Sequence, residues 1–539
     1  MAVKSKGLPR SIWIVGGCYL IAALVVLFRP GAILSSDDRT VIRFAHWQAE
    51  AGPREAMDAL IERYEELNPD VRVVQLDVPG RVYTRWVRTQ LIGETAPDLI
   101  EFSGGSTDIA PRFFEPITKY VDEPNPYNIG TPLEGMRWRD TFVDGLNTPS
   151  TYIDRLSNYY AVTMCSVTLR LFYNPDLLEE ITGSHEPPHT YDDMRRIQKQ
   201  VTAYSARIGK RVSLYAGCDY TGEIVIEGLL ARAGIGVGFE LDRFREQGSP
   251  VAQMAQEFMR GHWDYRTPAL FSAIQNSREA APFFRPGFQQ LDRDAATQEF
   301  LRSQALMFLT GTWDATTLKT MAPFEVGVDH IPWPAKSDHS DTGQHYWSPV
   351  SDGEANTSMP FYLNKQSKNK DVAMDFMRFV TSLEGNTIWM NKSGWNPSIR
   401  GVELLEDLKI FKHRFEGYQV RSSFMRGFGV ETREVWQRLT HHLTAPNGGV
   451  EKFMKIFEKD FPPALRKDVE SNVRVLYLSL RRDVPALVAL ATLDRLVGHD
   501  AKEVQARKIR ESSQNLTEAK MYEAEAVLAR GSALLDPLP

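Results

Sequence analysis

Cysteine is scarce, at three in 539 residues, and no two of them form a CxxC pair. That excludes a disulfide-stapled scaffold and the common thiolate metal and redox sites. Cys18 falls in an apolar N-terminal run, which leaves Cys165 and Cys218 as the only pair able to bridge; two buried free thiols is the plainer reading. Positive charge is not in excess either. Lys and Arg number 63 against 69 Asp and Glu, a net charge of −6, so no polyanion-binding surface is implied and nucleic acid is not an expected partner. His330, His339 and His345 stand nine and six residues apart, which matches no zinc pattern, so neither a metal nor another cofactor is expected.

What is present is an ordinary soluble composition, 42% hydrophobic and 24% charged, on a chain too long for one core. At roughly 150 residues per domain the length suggests two to four. Lys4, Lys6 and Arg10 precede an uncharged run from Ser11 to Phe28, about long enough to cross a thin or locally compressed bilayer. The positive residues lie before it, so the bulk of the protein is expected outside the cytoplasm. Arg29-Pro30-Gly31-Ala32 is a poor cleavage site, and too few apolar residues precede Val15-Gly16-Gly17-Cys18 for a lipoprotein signal. A retained anchor is the expectation.

The chain after the linker Ser35–Thr40 reads as strands alternating with helices. Val41–Trp47 is a strand, Ala56, Leu60, Ile61 and Tyr64 line a helix that stops before Asn68-Pro69, and Val71–Val78 is a second strand. Ala96–Phe102 is a third, running into Ser103-Gly104-Gly105-Ser106. Such alternation predicts a parallel sheet whose ligands bind beyond the carboxyl ends of its strands. From Thr168 to Tyr173 apolar residues alternate in another strand; Asn174 caps a helix with Pro175 at its first position, and Thr190 with Asp193 forms a short capping box. Ser213–Tyr220 is a strand with a polar aromatic end, and Gln304–Asp314 runs an apolar strand into Gly311-Thr312-Trp313. A ring placed just after a glycine that lets the backbone turn can lie flat on the apolar face of a sugar.

Taken in chain order, these segments resemble the bacterial extracellular solute-binding proteins that feed ABC importers, specifically the sugar-binding, maltose-binding-protein-like group. The residues carrying the resemblance are the Trp47 loop, Asn68-Pro69, Pro97-Asp98-Leu99, Tyr173-Asn174-Pro175-Asp176-Leu177, Ala305–Trp313, Val326-Gly327-Val328, Thr381–Glu384 and Gly394-Trp395-Asn396-Pro397. The resemblance spans roughly Val41 to Phe461. It implies a two-lobed α/β periplasmic-binding-protein fold of type II; the residues outside it add an N-terminal membrane anchor and, from helical spacing, a C-terminal helical extension longer than the family pattern requires. The implied division is 1–10 cytoplasmic, 11–28 anchor, 41–165 lobe one, 166–325 lobe two, 326–380 a return to lobe one, 381–461 a return to lobe two, and 462–539 the helical extension beginning at Pro462-Pro463.

Carried over residue by residue, the resemblance places Trp47, Gln48, Ser103, Gly104, Asp219, Tyr220, Trp313 and Trp395 at the ligand. Trp47, Tyr220, Trp313 and Trp395 would stack on sugar faces, and Gln48, Ser103 and Asp219 would bond hydroxyls. Phe424 or Trp436 would add a further ring. The implied function is capture of a sugar or oligosaccharide between the lobes and its delivery to ABC permease subunits, with no bond made or broken, by a monomer held at the membrane through Ser11–Phe28. An envelope glycosidase is one alternative. It needs a fixed pair of carboxylates, and Glu101, Asp108, Asp219 and Asp314 supply acids near strand ends without fixing a pair. A sugar sensor acting through the helical tail is another.

Overall fold

The computed structural model describes residues 39–48, 51–102, 109–148, 150–153, 158–242, 251–338, 343–352, 357–414, 416–418, 428–497 and 501–529. The anchor expectation at Ser11–Phe28, with Cys18, lies outside them, and so do Ser103 and Gly104. Among the described residues no helix is long and apolar enough to cross a membrane.

Two sheets divide the chain. Lobe one is built from β1 (Thr40–His46), α1 (Ala51–Leu67), β2 (Val71–Asp77), α2 (Gly80–Ile92), β3 (Leu99–Glu101) and β4 (Ala161–Ser166). The chain then enters lobe two through β5 (Leu169–Tyr173), α3 (Pro175–Thr182), α4 (Tyr191–Ile208), β6 (Ser213–Tyr215) and α5 (Asp219–Leu241). Lobe two continues with α6 (Val251–Met259), α7 (Pro268–Ala280), α8 (Arg293–Leu301), β7 (Ala305–Gly311), α9 (Thr312–Met321) and β8 (Gly327–Asp329). Next come β9 (Thr357–Leu363), α10 (Lys370–Val380), α11 (Leu383–Ser393) and β10 (Asn396–Pro397), back in lobe one. The chain closes with α12 (Val430–Leu439), α13 (Val450–Val497) and α14 (Ala501–Ala529).

The lobe-one sheet runs β10-β4-β9-β3-β1-β2, with β1 parallel to β2 and β3 and the later strands antiparallel. The lobe-two sheet runs β8-β5-β7-β6, in which only β6 and β7 are parallel. Local chemistry starts the helices. The Asn174 side chain accepts from the Leu177 N–H at 3.0 Å, and Thr190 and Asp193 close their capping box. Cys165 and Cys218 are free and buried, the first on β4 of lobe one and the second just before α5 in lobe two.

Three expectations of lobe assignment give way to packing. Gly327–Asp329 pairs antiparallel with Tyr173, Phe172 and Leu171, so Val326-Gly327-Val328 closes lobe two instead of returning to lobe one. Gly327 fits there because the Tyr173 ring covers it: a Cβ would stand 2.3 Å from the ring. Residues 383–399 stay in lobe one, because Trp389, Trp395 and Ile399 bury with Leu60, Tyr64 and Phe379, and the Asn386 side chain ties the Val380 carbonyl to the Ser398 N–H. The tail does not start at Pro462-Pro463. α13 begins at Val450 and runs through both prolines, since Phe453, Phe457, Phe461 and Leu465 form one stripe buried on lobe two. That continuous burial outweighs the two backbone bonds the prolines cannot make. α14 returns along α13, and its end docks on lobe two through Ala524, Val527 and the Arg260–Glu523 pair at 2.7 Å.

The chain crosses between the lobes three times, and one side chain touches all three crossings. Arg170, on β5, is buried. Its Nε donates to the Ile410 carbonyl at 2.7 Å and its Nη2 to the Lys412 carbonyl at 2.8 Å, both on the third crossing. Nη2 also meets Asp352 Oδ2, on the second crossing, at 3.1 Å, while Nη1 bonds the Leu169 carbonyl on the first. Burial pushes the Asp352 carboxyl up, but Arg170 and the Arg414 N–H hold it below its ordinary value. His413 lies beside this group, and burial, with Arg170 near, pulls it down to about 4.

Two outcomes are expected. Arg170→Met removes the guanidinium from three carbonyls and from Asp352 in a buried place and lowers stability by about 3–5 kcal/mol, read as a fall in melting temperature. His413 is neutral in the fold while the unfolded chain takes up a proton near pH 6.5. Stability is therefore intact above that pH, falls as pH drops from 6.5 towards 4, and loses roughly 3 kcal/mol from this group by pH 4. Melting temperatures between pH 7.5 and 4.5 should show a shallower decline for His413→Gln than for the parent chain.

Candidate functional site

In lobe two β6 and β7 end side by side, and α5 and α9 start from those ends. This is where a parallel pair of strands presents side chains to a ligand. Gly311 closes β7 with extended backbone, φ −108° and ψ −180°, so no sharp turn is made there. The glycine is needed for space instead: the Trp313 ring folds back over it, and a Cβ would stand 2.3 Å from the ring. Trp313 is half-buried, rests against the lobe-one core, and its indole N–H has no acceptor among the described residues. Beside it, Thr316 Oγ1 donates to the Ser393 carbonyl at 3.2 Å, tying α9 to the end of α11 in lobe one.

Tyr220, on the first turn of α5, is 36% exposed with its ring centroid 6.5 Å from that of Trp313. The Arg293 guanidinium stands 5.9 Å from the Tyr220 ring and 5.7 Å from the Trp313 ring. Asp314 fixes it, with Arg293 Nη2 at 2.9 Å from both carboxylate oxygens, and Thr310 Oγ1 donates to the same carboxylate. Asp219, the first residue of α5, is exposed next to Tyr220. Two rings, a guanidinium with further N–H groups and an exposed carboxylate therefore share one end of lobe two, a set suited to apolar faces and hydroxyl groups together.

In lobe one, β1 ends at His46 and turns into Trp47, which is half-buried and packs edge-on against Tyr83 with centroids 5.1 Å apart. Gln48 does not reach outward. It is 7% exposed and donates to Glu101 Oε1 at 2.8 Å, while Glu101 Oε2 accepts the Trp47 N–H at 3.3 Å. Its role is to hold the Trp47 loop on the end of β3. His46 extends the chain of bonds: Nδ1 accepts the Gln48 N–H at 3.2 Å and Nε2 faces Gln75 Oε1 at 2.7 Å, which assigns the Nε2–H tautomer; burial lowers its pKa. Glu101 and Asp314, buried in different lobes, both accept from the fold's own donors, so neither is placed as half of a catalytic acid–base pair.

Trp395 departs from expectation. It is 3% exposed, edge-on to Trp389 at 5.9 Å, and fills the lobe-one core because the chain around it stays in that lobe. Trp436 is likewise core, against Tyr265 and Phe457 in lobe two, and Phe424 lies outside the described residues. Sequence reasoning missed Arg293, Thr310 and Tyr83. Arg293 follows Asp292, which caps α8 by accepting the Ala295 N–H at 2.9 Å; that cap marks a helix start, not a guanidinium aimed at two rings.

A family model described as bacterial extracellular solute-binding protein matches residues 59–413. A search of the curated proteins found no match. Among solved structures, maltose-bound MalE3 of T. maritima is 17% identical with a TM-score of 0.55, covering 79% of this chain and 99% of its own. The apo form of RafE from Streptococcus pneumoniae is 15% identical with a TM-score of 0.53, covering 80% and 100%. The maltose/maltodextrin-binding domain MalE from Bdellovibrio bacteriovorus, bound to maltotriose, is 17% identical with a TM-score of 0.52, covering 81% and 100%. At these identities the likeness is one of fold.

Gly311→Ala should displace the Trp313 ring, costing about 1–3 kcal/mol of stability and shifting the tryptophan emission. Gly449→Ala is the control, since nothing lies within 4 Å of the position its Cβ would take. Unaltered emission and melting in Gly311→Ala would remove the steric role given to this glycine.

Proposed function

Because the chain belongs to the bacterial extracellular solute-binding protein family, we propose that it captures a sugar or oligosaccharide between its two lobes and delivers it to an ABC-type importer. The observation that carries the sugar part is the group at the end of β6 and β7: Trp313 and Tyr220, with the Arg293 guanidinium held over both rings by Asp314. Rings take the apolar face of a pyranose, and guanidinium and carboxylate groups take its hydroxyls. Solved structures with this fold hold maltose and maltotriose. Trp47 supplies the facing ring from lobe one, with Gln48 and Glu101 as its support, and Ser103 and Gly104 remain ligand contacts on the strength of the family resemblance alone. Asp219 bonds a hydroxyl beside Tyr220. Trp395 supports the lobe-one core and does not touch ligand.

The family is one of binding proteins, so binding and not bond cleavage is the output. Ligand that bridges the lobes favours the arrangement in which both touch it, and the crossings around Arg170 are the place where the lobes turn. The working unit is one chain on the outer face of the cytoplasmic membrane, retained there by Ser11–Phe28.

The test is a titration of the purified chain with a panel of oligosaccharides, sugar alcohols and sugar phosphates, followed by heat, tryptophan emission and melting temperature. A sugar at a hundred times its Kd should add about 2.7 kcal/mol of stability. Trp313→Ala should weaken binding at least tenfold, about 1.4 kcal/mol, in a chain that still melts cooperatively, whereas Trp395→Phe should leave the affinity within twofold. No heat with any sugar, alongside tight binding of another solute class, would end the sugar reading while leaving the family intact.

A further inference from the structure

The second half of α13 and the first part of α14 leave lobe two as a two-helix arm. α13 packs on lobe two through Val469 and Val473, and among the described residues α14 joins that core at Ala524, Val527 and Leu528. At 1.5 Å per residue the stretch from Arg474 to Val497 is about 36 Å long. It lies outside the residues 59–413 that match the family, so the family's own docking surfaces do not account for it.

The two helices pack along each other, yet part of the apolar surface of α13 stays uncovered. Tyr477 is 48% exposed, Val484 42% and Val488 61%. With Arg474 and Arg481 they follow at three- and four-residue intervals along one helix face. Arg481 stands 5.8 Å from the centre of the Tyr477 ring. From Arg474 to Val488 no Asp or Glu falls at this spacing, and Glu470, one step before Arg474, pairs with Arg466 at 3.2 Å. Between 474 and 520 the sequence carries nine Lys and Arg against six Asp and Glu, in a chain whose net charge is −6. Neither Arg474 nor Arg481 has an acidic partner among the described residues.

We propose that this face of the arm lies on an anionic lipid surface. Valines and a tyrosine at this spacing enter the boundary between headgroups and acyl chains, and the arginines extend to the phosphates. A second copy fits less well, because two such faces would set Arg474 and Arg481 against their equivalents. Among the described residues no helix is long and apolar enough to span, so the contact is one of lying on the surface.

The test uses the full chain with Cys18→Ser, so that a single environment-sensitive fluorophore reports from Val488→Cys while Cys165 and Cys218 stay buried. A second sample carries the label at Ile92→Cys, an exposed position on lobe one. Vesicles are phosphatidylcholine alone or phosphatidylcholine with phosphatidylglycerol. The expected result is a blue shift and quenching by brominated lipid at position 488 only, only with phosphatidylglycerol, and reversed by about 0.5 M salt. Arg474→Glu together with Arg481→Glu should abolish it without moving the melting temperature. An equal response at position 92, an equal response on neutral vesicles, or indifference to the two arginines would overturn the proposal. So would a blue shift that grows with protein concentration in the absence of vesicles, which would assign the face to a second copy.

Discussion

Three chain segments pass between the lobes, and each must cross at one place for the lobes to move as bodies. A guanidinium is suited to gathering them, since it presents five donors in a rigid plane and stays charged when buried. Arg170 spends those donors on three carbonyls and on Asp352, and it stands on the strand that opens lobe two. The cost of burying the charge is offset only because every partner is in place. Thr168 adds to the same knot, its hydroxyl donating to the Phe411 carbonyl at 2.9 Å and its N–H donating to the Thr312 hydroxyl oxygen at 3.0 Å. The residue after that threonine partner is Trp313. The crossings and the aromatic end of lobe two are thus parts of one continuous bonded unit, so a change in the angle between lobes is transmitted to the end of lobe two proposed to hold ligand.

The two sides of the cleft are built by different means. On lobe two the rings stand at strand ends and are exposed in part, with a carboxylate whose task is to aim a cation at them. On lobe one the acid is fully buried, and it serves the backbone of the loop that carries Trp47. In both cases a carboxylate is neutralised by donors of the fold itself, which fits a site that recognises neutral polar molecules and releases them unchanged.

Much of this was legible in the sequence where the signal is local. Asn174-Pro175, Thr190 with Asp193, and Gly311 before Trp313 each declare their structure within four residues, through capping chemistry or space for a ring. Registers set by distant partners were not legible. Val326-Gly327-Val328 reads equally well as a strand of either lobe, and only the Tyr173 ring waiting above Gly327 decides. Trp395 resembles a ligand-facing ring until Trp389 closes over it. Arg170 was read as one face of an alternating strand, and nothing nearby in the chain announces that its partners lie 182 to 242 residues away. The prolines at 462 and 463 misled for the opposite reason: a strong local signal was overridden by a buried stripe.

The position of β9 governs the order in which the molecule can be made. It lies between β3 and β4, in the middle of the lobe-one sheet, yet it is Thr357–Leu363. Until the ribosome has delivered it, the three-stranded half β3-β1-β2 has an open edge at β3, and β4, whose partners β9 and β10 both come later, has no strand to pair with in this sheet. Lobe two in turn awaits α12, α13 and the end of α14 for its largest core. Neither lobe can therefore be completed as a nascent unit, and ends of strands open to foreign pairing persist through most of synthesis. Such a chain is well matched to export before folding, and it depends on whatever holds it extended until its last helix arrives.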